Sequence, residues 1–182
     1  MAMESPSDEI LLEEIRKGSS SAFAVLVKRH SGKYYNLAYR YAANREEAED
    51  IIQTAFIKLW ENPDAWDPRK GTRFTTWFYR IVVNLCLDGK KKLKPLAIPE
   101  SFEVRDEKND QERDVAEGEA KRLLAREIAA LPSRQKAALI LFFYEGLSHE
   151  DAAKAMNIGV KALQSLLMRA KATLKQKMRH YI

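Results

Sequence analysis

The stretch SHEDAAKAMNIGVKALQSLLMRAK, residues 148–171, decides the fold of the second half of the chain. Ser148, with Asp151 three residues later, has the pattern of a helix N-cap. A short helix, a tight turn at 157–159 that contains a glycine, and a longer helix over 160–179 together form a helix-turn-helix. Its packing core would use apolar residues at helical spacing, namely Ala152, Ala153, Met156, Ile158, Val160, Leu163 and Leu167.

Charge is distributed unevenly along the 182 residues. Residues 121–182 contain 12 Lys/Arg and four Asp/Glu, and no acidic residue follows Asp151. A face of one positive sign attracts phosphates, so it favours nucleic-acid binding by the last helix. The alternative is a helical hairpin of a bundle with an ordinary solvated surface. Residues 100–120 hold three basic and nine acidic residues, follow two prolines and have few large apolar side chains. This composition predicts a flexible acidic linker.

Seven glycines, six prolines and a charged fraction of 31% predict an all-α chain. Four helices are expected in the first half. Asn44, with Glu47 three residues later, predicts the start of the third of them. In the second half Ser133 is expected to cap the helix after 131–132. We therefore predict two small helical domains at 1–97 and 119–182, joined by the linker at 98–118.

Aromatic and basic residues alternate in RFTTWFYRIVVNLCLDGKKK, residues 73–92. Rings offer flat faces to unpaired bases and cations attract the phosphates between them, so this segment suits single-stranded nucleic acid. The alternative is an amphipathic helix whose aromatics belong to the core. Trp77 in particular shares a helical face with Ile81 and Leu85. The residues concerned are Arg73, Phe74, Trp77, Phe78, Tyr79, Arg80, Lys90, Lys91 and Lys92.

The third helix, EEAEDIIQTAFIKLWEN at 46–62, has an apolar stripe and an opposite face that is acidic and partly apolar. Because carboxylates repel phosphates, that second face suits a protein partner better than DNA. An ordinary solvated face is the alternative. The residues on it are Asp50, Gln53, Ile57 and Glu61.

Several functional classes have no support in the sequence. Cys86 is the only cysteine, and the three histidines, His30, His149 and His180, follow no metal-ligand spacing. No glycine-rich phosphate loop or nucleophile–base set is visible, so we predict no metal, no cofactor and no enzymatic activity. The longest apolar run, 137–144, is too short to cross a bilayer, and the N-terminus does not have the pattern of a signal peptide. We expect a cytoplasmic protein without membrane insertion.

Three motifs in order, DIIQTAFIKLWEN at 50–62, FTTWFYRIVVN at 74–84 and the stretch at 131–171 that contains the helix-turn-helix, resemble the extracytoplasmic-function group of sigma-70 RNA polymerase sigma factors. The resemblance implies partners: promoter DNA, the clamp helices and flap of core polymerase, and an anti-sigma factor. The clamp helices would contact Asp50, Gln53, Ile57 and Glu61. The sequence alone leaves two other functions open, a stand-alone helix-turn-helix regulator and a sigma-like decoy for an anti-sigma factor.

The resemblance also implies two DNA sites. The loop at 67–72 and the helix behind it would open the promoter and hold a flipped base of the minus-ten element, using Lys70, Arg73, Phe74, Trp77, Arg80 and Asn84, with Lys90, Lys91 and Lys92 on nearby phosphates. The last helix would enter the major groove at the minus-thirty-five element, using Lys161, Gln164, Ser165, Met168, Arg169 and Lys171.

The last helix departs from the commoner family pattern at several positions. Ala162, Gln164, Leu166 and Met168 stand where the family often has threonine, lysine, a basic residue and histidine. These changes remove potential phosphate and base contacts. Leu166 and Met168 are candidates for contacts with thymine methyls or with an inhibitory partner, or Leu166 simply widens the core stripe.

Overall fold

The computed structural model describes residues 6–89 and 121–179, and every regular element in these ranges is helical. The first unit contains α1 (Asp8–Arg16), α2 (Ser20–Ala42), α3 (Arg45–Glu61), two short 3-10 turns (Pro63–Ala65 and Pro68–Lys70) and α4 (Phe74–Gly89). The second contains α5 (121–129), α6 (Ser133–Leu139), a π-helical turn (Ile140–Tyr144), α7 (His149–Ala155) and α8 (Val160–Met178). The predicted linker at 98–118 lies outside the described residues, as do Lys90, Lys91 and Lys92.

Side-chain caps define where several helices begin. The Asn44 side chain accepts a hydrogen bond from the backbone N–H of Glu47 at 2.9 Å, and Ser148 Oγ accepts one from that of Asp151 at 3.0 Å. Both predicted caps are therefore confirmed. The prediction for Ser133 is wrong. Pro132 occupies the cap position of α6 and makes no capping bond, and Ser133 is instead the first residue of the helix.

The core of the first unit is a cluster of aromatic rings between α2, α3 and α4. The Phe78 ring lies 4.7 Å from the Tyr34 ring and 4.9 Å from the Phe56 ring, centroid to centroid. The Phe74 ring packs 5.5 Å from the Phe78 ring on the same side of α4. Edge-to-face and tilted contacts of this kind add to the stabilisation from burial. They fix the direction of α4 and leave its polar side chains on the opposite side.

The two units pack against each other, which the sequence did not predict. The helix α7 contacts α4, and buried residues of both units form one continuous apolar cluster. Glu145, directly after the π-helical turn, accepts hydrogen bonds from Arg40 (3.1 Å) and from the Tyr79 hydroxyl (2.9 Å). Lys136 is almost fully buried and donates to the Tyr41 carbonyl oxygen at 2.7 Å. We call this contact surface the inter-unit interface.

No helix within residues 6–89 and 121–179 is both long enough and apolar enough to cross a bilayer.

Candidate nucleic-acid interface

The aromatic side chains of α4 are core residues. Phe74, Phe78 and Tyr79 are at most 2% exposed, and Trp77 is 8% exposed. The expectation that these rings offer free faces to unpaired bases is therefore wrong for this arrangement, and the core alternative is correct. The physical reason is that α4 is packed on one side by α2 and α3 and on the other by α7. Trp77 alone among the four still borders a cavity.

Three of the polar residues predicted in the same segment are exposed. Arg73 precedes α4, and Arg80 and Asn84 lie on its solvent-facing side about two and three turns further along. Guanidinium and amide groups at this spacing can donate hydrogen bonds to phosphates and to base edges. The structure thus brings Arg73, Arg80 and Asn84 to one surface, while Phe74 lies behind it.

The loop before α4 has a defined shape, and we call residues 66–72 the capture loop. Asp67 accepts hydrogen bonds from the backbone N–H and the guanidinium of Arg69, at 3.0 and 2.9 Å. Those bonds lower the pKa of the Asp67 carboxyl. Gly71 has a φ of 68°, a backbone conformation that costs glycine little. Lys70 is exposed at the tip. Sequence reasoning missed Trp66, the buried indole beneath this loop.

A cavity of about 490 Å³ separates the capture loop and α4 from the turn of the helix-turn-helix. Cations from both units line it, Lys70 and Arg80 from the first and Lys154 from the second. The turn residues Asn157, Ile158 and Gly159 form the opposite wall. The cavity is large enough for a small polar ligand, and in this arrangement the helix-turn-helix covers the wall formed by Trp77 and Arg80.

The recognition helix α8 presents most of its predicted DNA contacts to solvent. Met168 is 66% exposed, and the other exposed members are Lys161, Gln164, Arg169 and Lys171. Ser165 is partly exposed, and its hydroxyl donates to the Lys161 carbonyl oxygen at 3.0 Å, which leaves only its acceptor lone pairs for a base. Leu166 packs against the apolar cluster, as expected if it widens the core stripe.

The predicted protein-binding stripe on α3 is also exposed. Asp50, Gln53, Ile57 and Glu61 all face solvent, and Ile57 exposes 53% of its surface. Trp60, 40% exposed, lies beside this stripe and was not predicted. An exposed isoleucine and tryptophan flanked by carboxylates can bind a partner surface that combines apolar and basic residues.

Two buried titratable groups within the described residues have pKa values raised by burial. Burial and the neighbouring Glu145 raise the pKa of the Tyr79 phenol well above its usual value, so it stays protonated and donates to that carboxylate. Burial raises the pKa of Cys86 to about 12, which makes it a poor nucleophile at neutral pH. In the part of the chain that the structure describes, no three His, Cys, Asp or Glu side chains are placed to hold a metal ion.

Comparison with known proteins agrees with the motif order. The family described as sigma-70 region 2 matches residues 26–95, and sigma-70 region 4 matches residues 121–174. The sigma-E factor of Haemophilus influenzae is 30% identical over 182 residues, covering 94% of this chain and 95% of that protein. The SigW sigma factor of Bacillus subtilis is 29% identical and covers 92% of this chain and 95% of its own length.

Among solved structures, CnrH in complex with the cytosolic domain of CnrY matches with a TM-score of 0.67. The match covers 95% of this chain and 97% of that one at 24% identity, so it supports the fold. The relatives by sequence are sigma factors over nearly their whole length. The chain therefore belongs to the extracytoplasmic-function group of the sigma-70 family of RNA polymerase sigma factors.

Proposed function

We propose that this chain, as a sigma factor, joins core RNA polymerase, selects promoters through α8 and opens them through the capture loop and α4. It acts in the cytoplasm and has no enzymatic activity of its own. The functional division follows the boundaries 1–97, 98–118 and 119–182. The observation that carries the proposal is that two separate surfaces carry exposed groups suited to DNA, one on the capture loop and α4 and one on α8.

At the minus-ten element the working groups are Lys70, Arg73, Arg80 and Asn84. A flipped base needs a pocket with hydrogen-bond donors, and Arg80 and Trp77 form one wall of the cavity, which becomes accessible to DNA once the helix-turn-helix has moved away. Trp77 then contributes an edge of its ring rather than a free face, because the rest of it is buried. Phe74 acts indirectly, as core that supports the loop. Lys90, Lys91 and Lys92 add phosphate contacts.

At the minus-thirty-five element α8 lies in the major groove. Gln164 is the best candidate for reading adenine, and Lys161 for reading guanine. Met168, which is exposed and apolar, can contact a thymine methyl group. Arg169 and Lys171 hold phosphates and set the register without reading sequence. Ser165 supports the helix through its bond to the Lys161 carbonyl oxygen.

Core polymerase binds the stripe of Asp50, Gln53, Ile57 and Glu61 through its clamp helices, and the second unit contacts its flap. The exposed Ile57 supplies the apolar centre of the first contact and the carboxylates supply its polar rim. An anti-sigma factor is the expected inhibitory partner, as the sigma factor RpoE of Bartonella quintana is found with the anti-sigma factor NepR.

The two units must separate for this function. The elements at minus ten and minus thirty-five lie about 25 base pairs apart, roughly 85 Å along B-DNA. A compact protein of this length has a radius of gyration of roughly 16 Å and so spans only about 40 Å. The packed arrangement cannot reach both elements at once. Breaking the inter-unit interface also uncovers the wall formed by Trp77 and Arg80.

Transcription in vitro tests the proposal. Purified chain and core polymerase are supplied with a promoter library, and the transcript start sites are sequenced. We expect starts downstream of a shared pair of motifs. The chain alone should bind the same duplex weakly in gel shifts. Tight binding without polymerase and no effect on start sites would instead identify a stand-alone regulator.

A further inference from the structure

The helix α1 precedes the part of the chain that matches sigma-70 region 2, yet it contacts the first residue of the capture loop directly. The match begins at residue 26, whereas α1 ends at Arg16. Arg16 Nη2 donates to the carbonyl oxygen of Trp66 at 2.7 Å, and Arg16 Nε lies 3.1 Å from Asp64 Oδ1. The guanidinium carbon also lies 5.9 Å from the Trp66 ring centroid. One side chain thus makes two contacts with Trp66, the first residue of the loop, and an ion pair with Asp64 just before the loop.

The indole of Trp66 connects the two ends of the loop. Its Nε1 donates to the Thr72 carbonyl oxygen at 3.0 Å, so the first and last residues of the capture loop are tied together. The ring is 3% exposed and meets the Phe74 ring edge-on at 5.9 Å. The position of this indole therefore determines where Lys70, at the tip, stands relative to α4.

Arg16 is well suited to hold a backbone carbonyl in place. Its planar guanidinium can serve the Trp66 carbonyl and the Asp64 carboxylate at the same time, which a lysine ammonium does less precisely. Asp64 is exposed, so the ion pair with it contributes little. The bond to the Trp66 carbonyl is the contact that orients the loop.

We propose that Arg16 is a positioning residue for promoter opening: through the Trp66 carbonyl it holds the capture loop in the shape that receives the minus-ten base. This inference rests on the proposed function of the loop. Arg16 itself lies on α1 and does not line the cavity beside Trp77 and Arg80. Loss of one charge-assisted hydrogen bond should lower the rate of promoter opening, which depends on the loop, roughly tenfold.

The test uses the full chain with core polymerase and compares Arg16→Met with Lys17→Met. The two substitutions make the same charge change on neighbouring residues of α1. Lys17 pairs with Glu14 on the surface, at 2.8 Å, rather than with the loop. Three quantities are measured: core-polymerase affinity, the rate of open-complex formation, and the base preference at each position of a forked minus-ten DNA.

For Arg16→Met we expect roughly tenfold slower opening and a flatter base preference, with wild-type core affinity. Lys17→Met should match wild type in all three. Asp64→Asn keeps the Trp66 carbonyl bond, so its rate of open-complex formation should stay within about twofold of wild type. The proposal is overturned if Arg16→Met opens DNA like Lys17→Met, or if it loses opening and core affinity together. Damage by Asp64→Asn equal to that of Arg16→Met would also overturn it.

Two further outcomes separate the possible failures. If Arg16→Met does not fold, Arg16→Lys carries the test. Slower opening with unchanged core affinity supports the proposal, and wild-type opening overturns it. If wild-type chain with core polymerase opens no promoter, the proposed function itself is wrong. If wild type opens promoters and Arg16→Met equals it, only the role of Arg16 is wrong.

Discussion

The inter-unit interface can be weakened at Glu145 without disturbing either unit. The Glu145 side chain is 5% exposed and accepts one bond from Arg40 on α2 and one from Tyr79 on α4. Glu145→Gln keeps the shape but removes the negative charge and one of the two acceptor oxygens. With the remaining oxygen on Tyr79, that bond falls from charge-assisted to neutral strength, a loss of about 1 kcal/mol for a buried bond, and the amide –NH2 cannot accept from Arg40, so the Arg40 contact is lost.

The equilibrium between packed and separated units should shift about tenfold towards the separated state. The Arg40 side chain is 34% exposed, so its share is reduced by solvent, and the two contacts together lose about 1.4 kcal/mol. When the units are apart, Glu145 is hydrated in both proteins, so only the packed state is affected. If the open state is the minor one, the apparent affinity for core polymerase rises by the same factor.

Pulsed electron paramagnetic resonance measures the populations of the packed and separated states directly, as distances between two spin labels. Nitroxide labels on Lys28→Cys and Lys175→Cys report the distance between α2 and α8, because both positions are exposed and native Cys86 is buried. Glu150→Gln is the matched control, since it makes the same charge change at an exposed position of α7. We expect a larger long-distance population and tighter core binding for Glu145→Gln only. Identical distance distributions and core affinities for the two variants would refute the reasoning.

The remaining predictions concern four residues. Ile57→Ala should weaken core-polymerase binding roughly tenfold and leave the melting temperature unchanged, because the side chain is half exposed; an equal loss of stability would contradict this. Trp77→Ala should lower the free energy of unfolding by about 3–5 kcal/mol, whereas Asn84→Ala should slow promoter opening with little change in stability; calorimetry and opening kinetics distinguish them. Cys86 should react with a thiol reagent at pH 8 only on unfolding, because burial raises its pKa to about 12; rapid reaction in native protein would contradict burial.

Local sequence signals predicted helix starts well where one side chain meets a backbone group three residues away. Asn44 and Ser148 are such cases, and both caps form. The prediction for Ser133 is wrong because the cap position of α6 is Pro132, so Ser133 already lies in the first turn. A sequence pattern locates a helix start only to within a residue or two, and a shift of one residue removes a capping role.

The aromatic segment shows where a sequence pattern is ambiguous. Rings among cations suit stacked bases, but they equally suit a helix that is covered on more than one side, as α4 is by α2, α3 and α7. The packing was needed to tell the exposed residues of this segment, such as Arg80 and Asn84, from the buried ones, such as Phe74 and Phe78. The polar members of the predicted minus-ten site that the structure describes, Lys70, Arg73, Arg80 and Asn84, are exposed.

Contacts between residues far apart in sequence left no pattern to read. Glu145 and its partner Arg40 are 105 positions apart, and Arg16 and Trp66 are 50 apart. Each pair contains an arginine, a residue type common on surfaces, and its partner comes near it only because the chain folds. Helix periodicity assigned these side chains to faces, but it could not state which face of one unit meets the other.

The most direct test of the central claim is permanganate footprinting of one promoter with core polymerase and this chain. Permanganate oxidises unpaired thymines, so it distinguishes separated strands from duplex. We predict reactive thymines at the downstream element that disappear with Arg80→Ala and Asn84→Ala, while protection of the upstream duplex persists. Protection at both elements with no reactive thymine would contradict the account.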